Sequence, residues 1–193
     1  MEKRLFGFIE KYMLLSEAEK DAIRTLGVFK PYKKGDTILK EGEYSADSYF
    51  VLQGCIRTYY IIDGEEKTTA FFTELDTCTP LCSISHQSSE HYIDCLEDTI
   101  IIISNPELEK QMFAEFPRFE TMCRVLSEEL LVKAQVNLDS FKTQTPEQRY
   151  LNMLEQRPDL MQRIPQHQIA SFLGITPQSL SRIRKRLTTT TIN

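Results

Sequence analysis

No apolar run in the 193-residue sequence approaches the length of a membrane-spanning helix. The opening stretch, MEKRLFGFIEKYMLL, is broken by charges and holds no signal-peptide core. A cytoplasmic protein without membrane contact is the simplest expectation. Histidine is scarce, with only His86, His91 and His167. There is no Ser/His/Asp arrangement and no phosphate-binding glycine loop, so the sequence does not read as an enzyme, and it names no catalytic residue and no cofactor. Five cysteines (Cys55, Cys78, Cys82, Cys95, Cys123) form an odd, scattered set rather than a disulfide framework. Glycine is rare and uneven, with seven in all and none between Gly64 and Gly174.

What is present concentrates at the C-terminal end. Ile164 to Leu187, IPQHQIASFLGITPQSLSRIRKRL, reads as two short helices joined by a tight turn. Pro165 suits a first helical turn, where its missing N–H is no loss. Ile169, Ala170 and Leu173 make one apolar face, and Gly174 stops the helix. Thr176 and Pro177 restart it, a hydroxyl cap followed by a proline at the first position. In the second helix Leu180, Ile183 and Leu187 share a face. At 100° per residue, Gln178, Ser181, Arg182 and Lys185 point the other way. This is the layout of a helix-turn-helix DNA reader. Arg182 can bond a guanine through two N–H groups, Gln178 an adenine, and Lys185, flanked by Arg184 and Arg186, can meet phosphates. The plainer alternative is an αα-hairpin with a solvated basic face.

Net charge is −5, which argues against nucleic acid only on average. Residues 142–193 hold eight Lys/Arg against three Asp/Glu, while residues 1–141 hold fifteen against twenty-five. A basic C-terminal module on an acidic body fits a DNA reader attached to something else.

Upstream, residues 2–14 place Leu5, Ile9, Tyr12 and Met13 at helical spacing. Ser16 and Glu19 fit a capping box for a helix ending near Gly27. From Val28 the texture changes. Gly27, Gly35, Gly42, Gly54 and Gly64 punctuate short β-rich runs at 37–40, 49–52, 56–62 and 68–72, continued at 92–96 and 99–104. Such a series predicts an antiparallel roll, with the continuously apolar 100–103 in its core. Asn105-Pro106-Glu107 starts a helix that runs to about Phe116, and Pro117 opens a longer one to about Phe141. Phe119, Met122, Leu126, Leu130 and Ala134 step along it by three or four. Val125, Leu131, Val132 and Val136 add more apolar surface than one neighbour needs, so a dimerisation helix is favoured over simple packing on the roll. Lys142–Thr145 reads as a polar hinge. Thr145 and Gln148 then cap a helix with Tyr150, Leu151 and Leu154 on its buried face.

Helices, a glycine-punctuated roll, one long helix and a C-terminal helix-turn-helix, in that order, resemble the Crp/Fnr family of bacterial transcription regulators over nearly the whole chain. KKGDTILKEGEYSADSYFVLQGCIRTYYIIDGEEK (33–67) resembles the family's cyclic-nucleotide-binding-type roll, with Tyr49–Gly54 its most recognisable strand and turn. ASFLGITPQSLSRIRKRL resembles its DNA-reading motif. The resemblance implies an α+β chain: a roll sensor with flanking helices at 1–116, a dimerisation helix at 117–141 and a DNA-binding domain at 142–193. It also implies a homodimer that reads a two-fold-related operator in double-stranded DNA and contacts RNA polymerase. Thr176, Gln178, Ser179, Ser181, Arg182, Arg184, Lys185 and Arg186 are the expected DNA-binding set. The family often has an acid where Gln178 stands and an arginine where Pro177 stands, so a different operator is expected.

The sensor departs from the pattern too. Family members that bind cyclic AMP hold its phosphate with a Gly-Glu pair opening a small helix and an Arg-Ser or Arg-Thr pair soon after. The stretch here, ELDTCTPLCSISHQSSEHYIDCLED (74–98), has no glycine, Arg or Lys, and Glu90 sits about where a cation is wanted. The expectation is no cyclic AMP response and an unidentified small-molecule effector, if any. Cys78, Cys82 and His86, with His91 nearby, have a spacing that a metal site could use, but Pro80 interrupts any helix aligning them. A Cys78–Cys82 redox pair is a further alternative. Only Thr188–Asn193 follow the recognition helix, too little for a full β-hairpin wing. The competing function is a signalling module whose roll binds a ligand or protein and whose C-terminal helices mediate assembly without DNA activity.

Overall fold

The computed structural model describes residues 2–190, with side chains through Leu187. The expected end of the chain without a wing, 188–193, therefore lies outside the residues whose side chains are described. The chain divides into two compact units: residues up to 59 with 70–128, and residues 60–69 with 129 onward.

The first unit opens with α1 (Glu2–Ile9) and α2 (Glu17–Leu26). The expected amphipathic run to residue 14 is helical only to Ile9, and residues 10–13 form turns. The capping box of α2 is formed in both directions: Glu19 N–H donates to Ser16 Oγ, and Ser16 N–H donates to the Glu19 carboxylate. The strands are β1 (Val28–Tyr32), β2 (Thr37–Leu39), β3 (Ser48–Gln53), β4 (Ile56–Ile62), β5 (Glu65–Phe72), β6 (Thr77–Cys78), β7 (Tyr92–Cys95) and β8 (Thr99–Ser104), with the short helix α3 (Leu81–Ser85) between β6 and β7. They form two four-stranded sheets, ordered β1-β8-β3-β6 and β2-β7-β4-β5, and the registered pairs are antiparallel.

The alternation of side chains along each strand builds the core. Val51, Ile101, Ile56, Ile93 and Leu39 cluster with Cys78, Cys82 and Cys95. The neighbours Phe50, Leu52, Ile100 and Ile102 point oppositely and meet Leu5, Phe6, Ile9, Ile23 and Phe119. That double cover is why 100–103 is apolar without a break. The β-rich runs expected from the sequence begin at residue 37, and β1, which contains Pro31, lies ahead of them. It is an edge strand paired only with β8, where a missing N–H is tolerated.

α4 (Pro106–Glu115) starts on an Asn105 cap, whose side chain accepts Leu108 N–H at 3.0 Å. α5 (Arg118–Thr143) is the long helix, and α6 (Pro146–Gln156), α7 (Leu160–Arg163), α8 (Gln166–Phe172) and α9 (Pro177–Thr190) follow. The second unit contains α6 to α9, the end of α5 and the tip of the β4–β5 hairpin. Its buried side chains include Tyr150, Met153, Leu160, Ile164, Ile169, Ala170, Leu173, Leu180 and Ile183. The hairpin turns at Asp63 and Gly64, both with positive φ (53° and 78°), as a two-residue turn between twisted strands requires. Beyond the turn, Ser171 on α8 meets β5. Its hydroxyl accepts Thr68 N–H at 2.9 Å and donates to the Glu66 carbonyl at 3.0 Å.

Candidate DNA-reading site

α8 and α9 are joined by a turn that the sequence specifies closely. Gly174, at φ 69°, follows the Leu173 cap, and Ile175 N–H donates to Ala170 O at 3.0 Å. Thr176 then caps α9, its Oγ1 accepting Ser179 N–H at 3.2 Å. Ile169, Ala170 and Leu173 on one helix and Leu180 and Ile183 on the other are buried, so the expected apolar faces meet.

The outward face of α9 carries the predicted set. Gln178, Ser181, Arg182 and Lys185 are all exposed and lie within about 100° of one another around the helix. Ser179 is half-buried and already engaged: its hydroxyl receives the Thr176 hydroxyl at 3.1 Å and Arg182 Nη2 at 3.2 Å. It holds the Arg182 guanidinium in place, a positioning task that the sequence did not reveal. Arg184 turns away from this face and donates to Gln166 Oε1 on α8. Arg186 pairs with Glu147 of α6 at 2.7 Å. The eight predicted residues thus separate into an exposed face of four, the Thr176–Ser179 pair that caps the helix and holds Arg182, and a flanking pair, Arg184 and Arg186, tied to the rest of the unit.

An open groove of about 970 Å³ runs beside that face. Ser179, Arg182, Lys185 and Arg186 line one side, and Thr145, Pro146 and Glu147, at the start of α6, line the other. The α6 contribution was missed, because Thr145-Pro146-Glu147 reads in sequence only as a helix start. It caps α6 as expected, with Gln148 N–H donating to Thr145 Oγ1 at 3.3 Å and Thr145 N–H to Gln148 Oε1 at 2.9 Å. The start of α6 and the exposed cations Arg182 and Lys185 facing one groove suit an anionic backbone, while Arg186 is held by Glu147.

Along α5 only Phe119 is buried, and Met122 packs beside it. Farther along, Leu131, Val132 and Val136 are 72%, 64% and 59% exposed, with Leu130 and Leu138 also exposed. Leu131, Ala134 and Leu138 share one stripe, and Val125, Val132 and Val136 share another.

In the roll, the stretch 74–98 forms β6, α3 and β7. α3 begins directly after Pro80 without a side-chain cap, and Leu81 and Ile84 on it are exposed. Cys78 and Cys82 lie in the core, whereas His86 is exposed and shares a 3.3 Å hydrogen bond with the Tyr44 hydroxyl. Burial pushes the thiols of Cys78 and Cys95 up to about 12, which keeps them protonated. Burial also lowers the pKa of His91. The cation nearest in kind to a ligand holder, Arg57 on β4, is buried and spent on Asp94 of β7 through bonds of 3.1 and 2.7 Å. Its guanidinium also lies 4.1 Å from the Tyr59 ring centroid. Among the described residues no three His, Cys, Asp or Glu side chains gather as a metal site requires, and no helix is long and apolar enough to cross a membrane.

Comparison with known proteins agrees with this geometry. Residues 29–116 match the family model of the cyclic nucleotide-binding domain. FixK2 from Bradyrhizobium japonicum superimposes with a TM-score of 0.69 at 19% identity, over 86% of each chain. A CooA mutant from Carboxydothermus hydrogenoformans gives 0.67 at 18% identity, over 91% of this chain and 80% of that one. A Crp/Fnr-family protein from Eubacterium rectale gives 0.65 at 20% identity, over 91% and 84%. No curated protein matches significantly by sequence. At these identities the likeness establishes a shared fold.

Proposed function

From a chain that has the architecture of the Crp/Fnr transcription regulators and carries their cyclic nucleotide-binding domain at 29–116, we infer a DNA-binding regulator that reads a two-fold-related operator as a homodimer. The observation that carries this reading is the single exposed face Gln178, Ser181, Arg182 and Lys185 on a helix whose opposite face is buried against its neighbour. Gln178 and Arg182 read base edges, with Arg182 steadied by Ser179 and the helix start fixed by Thr176. Lys185 meets phosphates, and Arg184 and Arg186 support the flanks. The exposed stripes of α5 supply the dimer contact. In this reading the regions 1–116, 117–141 and 142–193 sense, dimerise and read.

The same reading holds that the roll does not take cyclic AMP in the family manner. An anionic ligand needs a cation and close backbone donors. The stretch 74–98 offers no Lys or Arg, and the buried Arg57 is committed to Asp94.

The test is selection of duplexes from a random pool by the purified protein, with and without cyclic AMP, followed by affinity against salt. A two-fold-related consensus bound equally well in both conditions is expected, with a slope of about −0.9 per phosphate contacted. Arg182→Ala then abolishes discrimination between operator and random DNA, whereas Lys185→Ala weakens all duplexes alike. No enrichment in either condition refutes the reader and favours a signalling module whose C-terminal helices serve assembly. Micromolar cyclic AMP binding at one site per chain refutes the statement about the effector.

A further inference from the structure

The expected hinge at Lys142–Thr145 is filled with bonds. α5 ends at Thr143 and Thr145 caps α6, so only Gln144 lies between. Gln144 N–H donates to Ser140 O at 3.0 Å, which continues the helical pattern. Its side-chain oxygen accepts from Ser140 Oγ at 2.7 Å and from Asn152 Nδ2 at 2.8 Å. Arg149, one turn into α6, closes the joint. Nη1 donates to Gln144 O at 2.8 Å and to Phe141 O at 3.3 Å, and Nη2 donates to Leu173 O at 2.7 Å. The guanidinium also lies 4.6 Å from the Phe141 ring centroid. Its Nε is buried without an acceptor.

Leu173 ends the first helix of the reader, and Phe141 and Gln144 end the long helix. One side chain therefore gathers carbonyls from the C-terminal ends of two helices, where partial negative charge accumulates. Gly174 completes the fit, because a Cβ there would stand 3.2 Å from the Phe141 ring. Arginine suits this post uniquely. Its planar fork reaches several acceptors at once and its charge is permanent, whereas lysine offers one flexible ammonium.

We propose that Arg149 is a positioning residue that fixes the reader on the end of α5 and thereby sets the spacing between the two half-sites of the operator. This rests on the dimeric reading above. Two readers carried by paired α5 helices have a separation decided by this joint. One added base pair shifts a half-site by about 3.4 Å and turns it by roughly 35°. A rigid joint rejects that displacement, and a loosened joint follows it.

The experiment uses the full chain and the selected consensus, with its half-sites at the native separation, one base pair closer and one base pair farther, beside a duplex with a single half-site. The wild type should lose about tenfold or more in affinity for either altered spacing, because the second contact no longer forms. Arg149→Lys and Arg149→Met should flatten that profile to within about threefold while the single half-site is bound nearly as well as before. If Arg149→Met does not fold, Arg149→Lys and Phe141→Leu carry the comparison. Variants that keep the tenfold selectivity overturn the proposal, and so does a wild type indifferent to spacing. A wild type that binds no duplex removes the DNA-reading proposal, and the inference with it, whereas a wild type that binds duplexes as a monomer removes the dimeric reading.

Discussion

Leu131→Ala is the sharpest perturbation of the proposed dimer. Leu131 is 72% exposed within one chain, so the substitution removes almost no intramolecular contact. Fully burying a leucine contributes about 1.5–3 kcal/mol. Scaled by the fraction that only a partner can cover, that is about 1–2 kcal/mol per chain. A two-fold interface repeats every residue, so one substitution counts twice, for about 2–4 kcal/mol. The dimer dissociation constant should rise roughly 30- to 700-fold. Sedimentation equilibrium across a concentration series reads this directly, and circular dichroism should show unchanged helix content. A dissociation constant equal to that of the wild type, or a wild type that stays monomeric throughout the micromolar range, would refute the reasoning. The first result would leave other α5 side chains to carry an interface, and the second would leave the exposed stripes with no self-partner.

Other outcomes follow from the roll. Gly54 has φ 96°, and an added Cβ would lie 2.7 Å from Asp98 O and 2.8 Å from Thr99 Cα, both backbone atoms. Gly54→Ala should therefore cost about 2–5 kcal/mol, from conformation and overlap together, and lower the melting midpoint by roughly 4–20 °C. Gly64→Ala, with open space around it, should cost only the conformational part, about 1–2 kcal/mol; equal losses would show that overlap is unimportant. Cys78 is 2% exposed and its thiol is pushed up to about 12, so a thiol reagent should label it only at the rate of unfolding. Rapid labelling of the native protein at Cys78 would revive a redox role. His91 is buried and its pKa is lowered by burial against a smaller opposing effect of Glu90. The unfolded chain then takes up a proton near pH 6.5 that the native one refuses. Stability is full above that pH and falls as pH drops below it. Thermal scans from pH 7.5 to 5 should show a steeper loss in the wild type than in His91→Asn, and parallel curves would contradict the account.

Where residues carry their own local chemistry, the sequence was readable. Ser16 with Glu19, Asn105 with Pro106 and Thr145 with Gln148 each announce a helix start that the structure contains. The reader was legible for the same reason, since Gly174 and Thr176 state the turn and the spacing of Leu180 and Ile183 states the face. Illegible features depend on tertiary partners. β1 is a strand only because β8 offers it an edge, and Val28–Tyr32 alone gives no such signal. α3 is a single turn that follows Pro80, too short for any periodicity. The supposed hinge looked loose because Lys142, Thr143 and Gln144 are polar. Their restraint comes from Arg149 and Asn152, on the next helix. Ser179 entered the expected DNA-binding set through the family resemblance, and its bond from Arg182 depends on the helix geometry rather than on any local signal.

β5 is the last strand of its sheet, and such a strand offers its spare N–H and C=O groups to any passing chain. Ser171 occupies one acceptor and one donor of that edge with a single hydroxyl, much as a residue of a ninth strand would. α8 thus also covers part of a strand edge. Whatever lifts α8 away from the hairpin breaks both of these bonds. The covering of that edge is thereby linked to the seating of α8. A Ser171→Ala chain should show that link as aggregation before any loss of helix content appears.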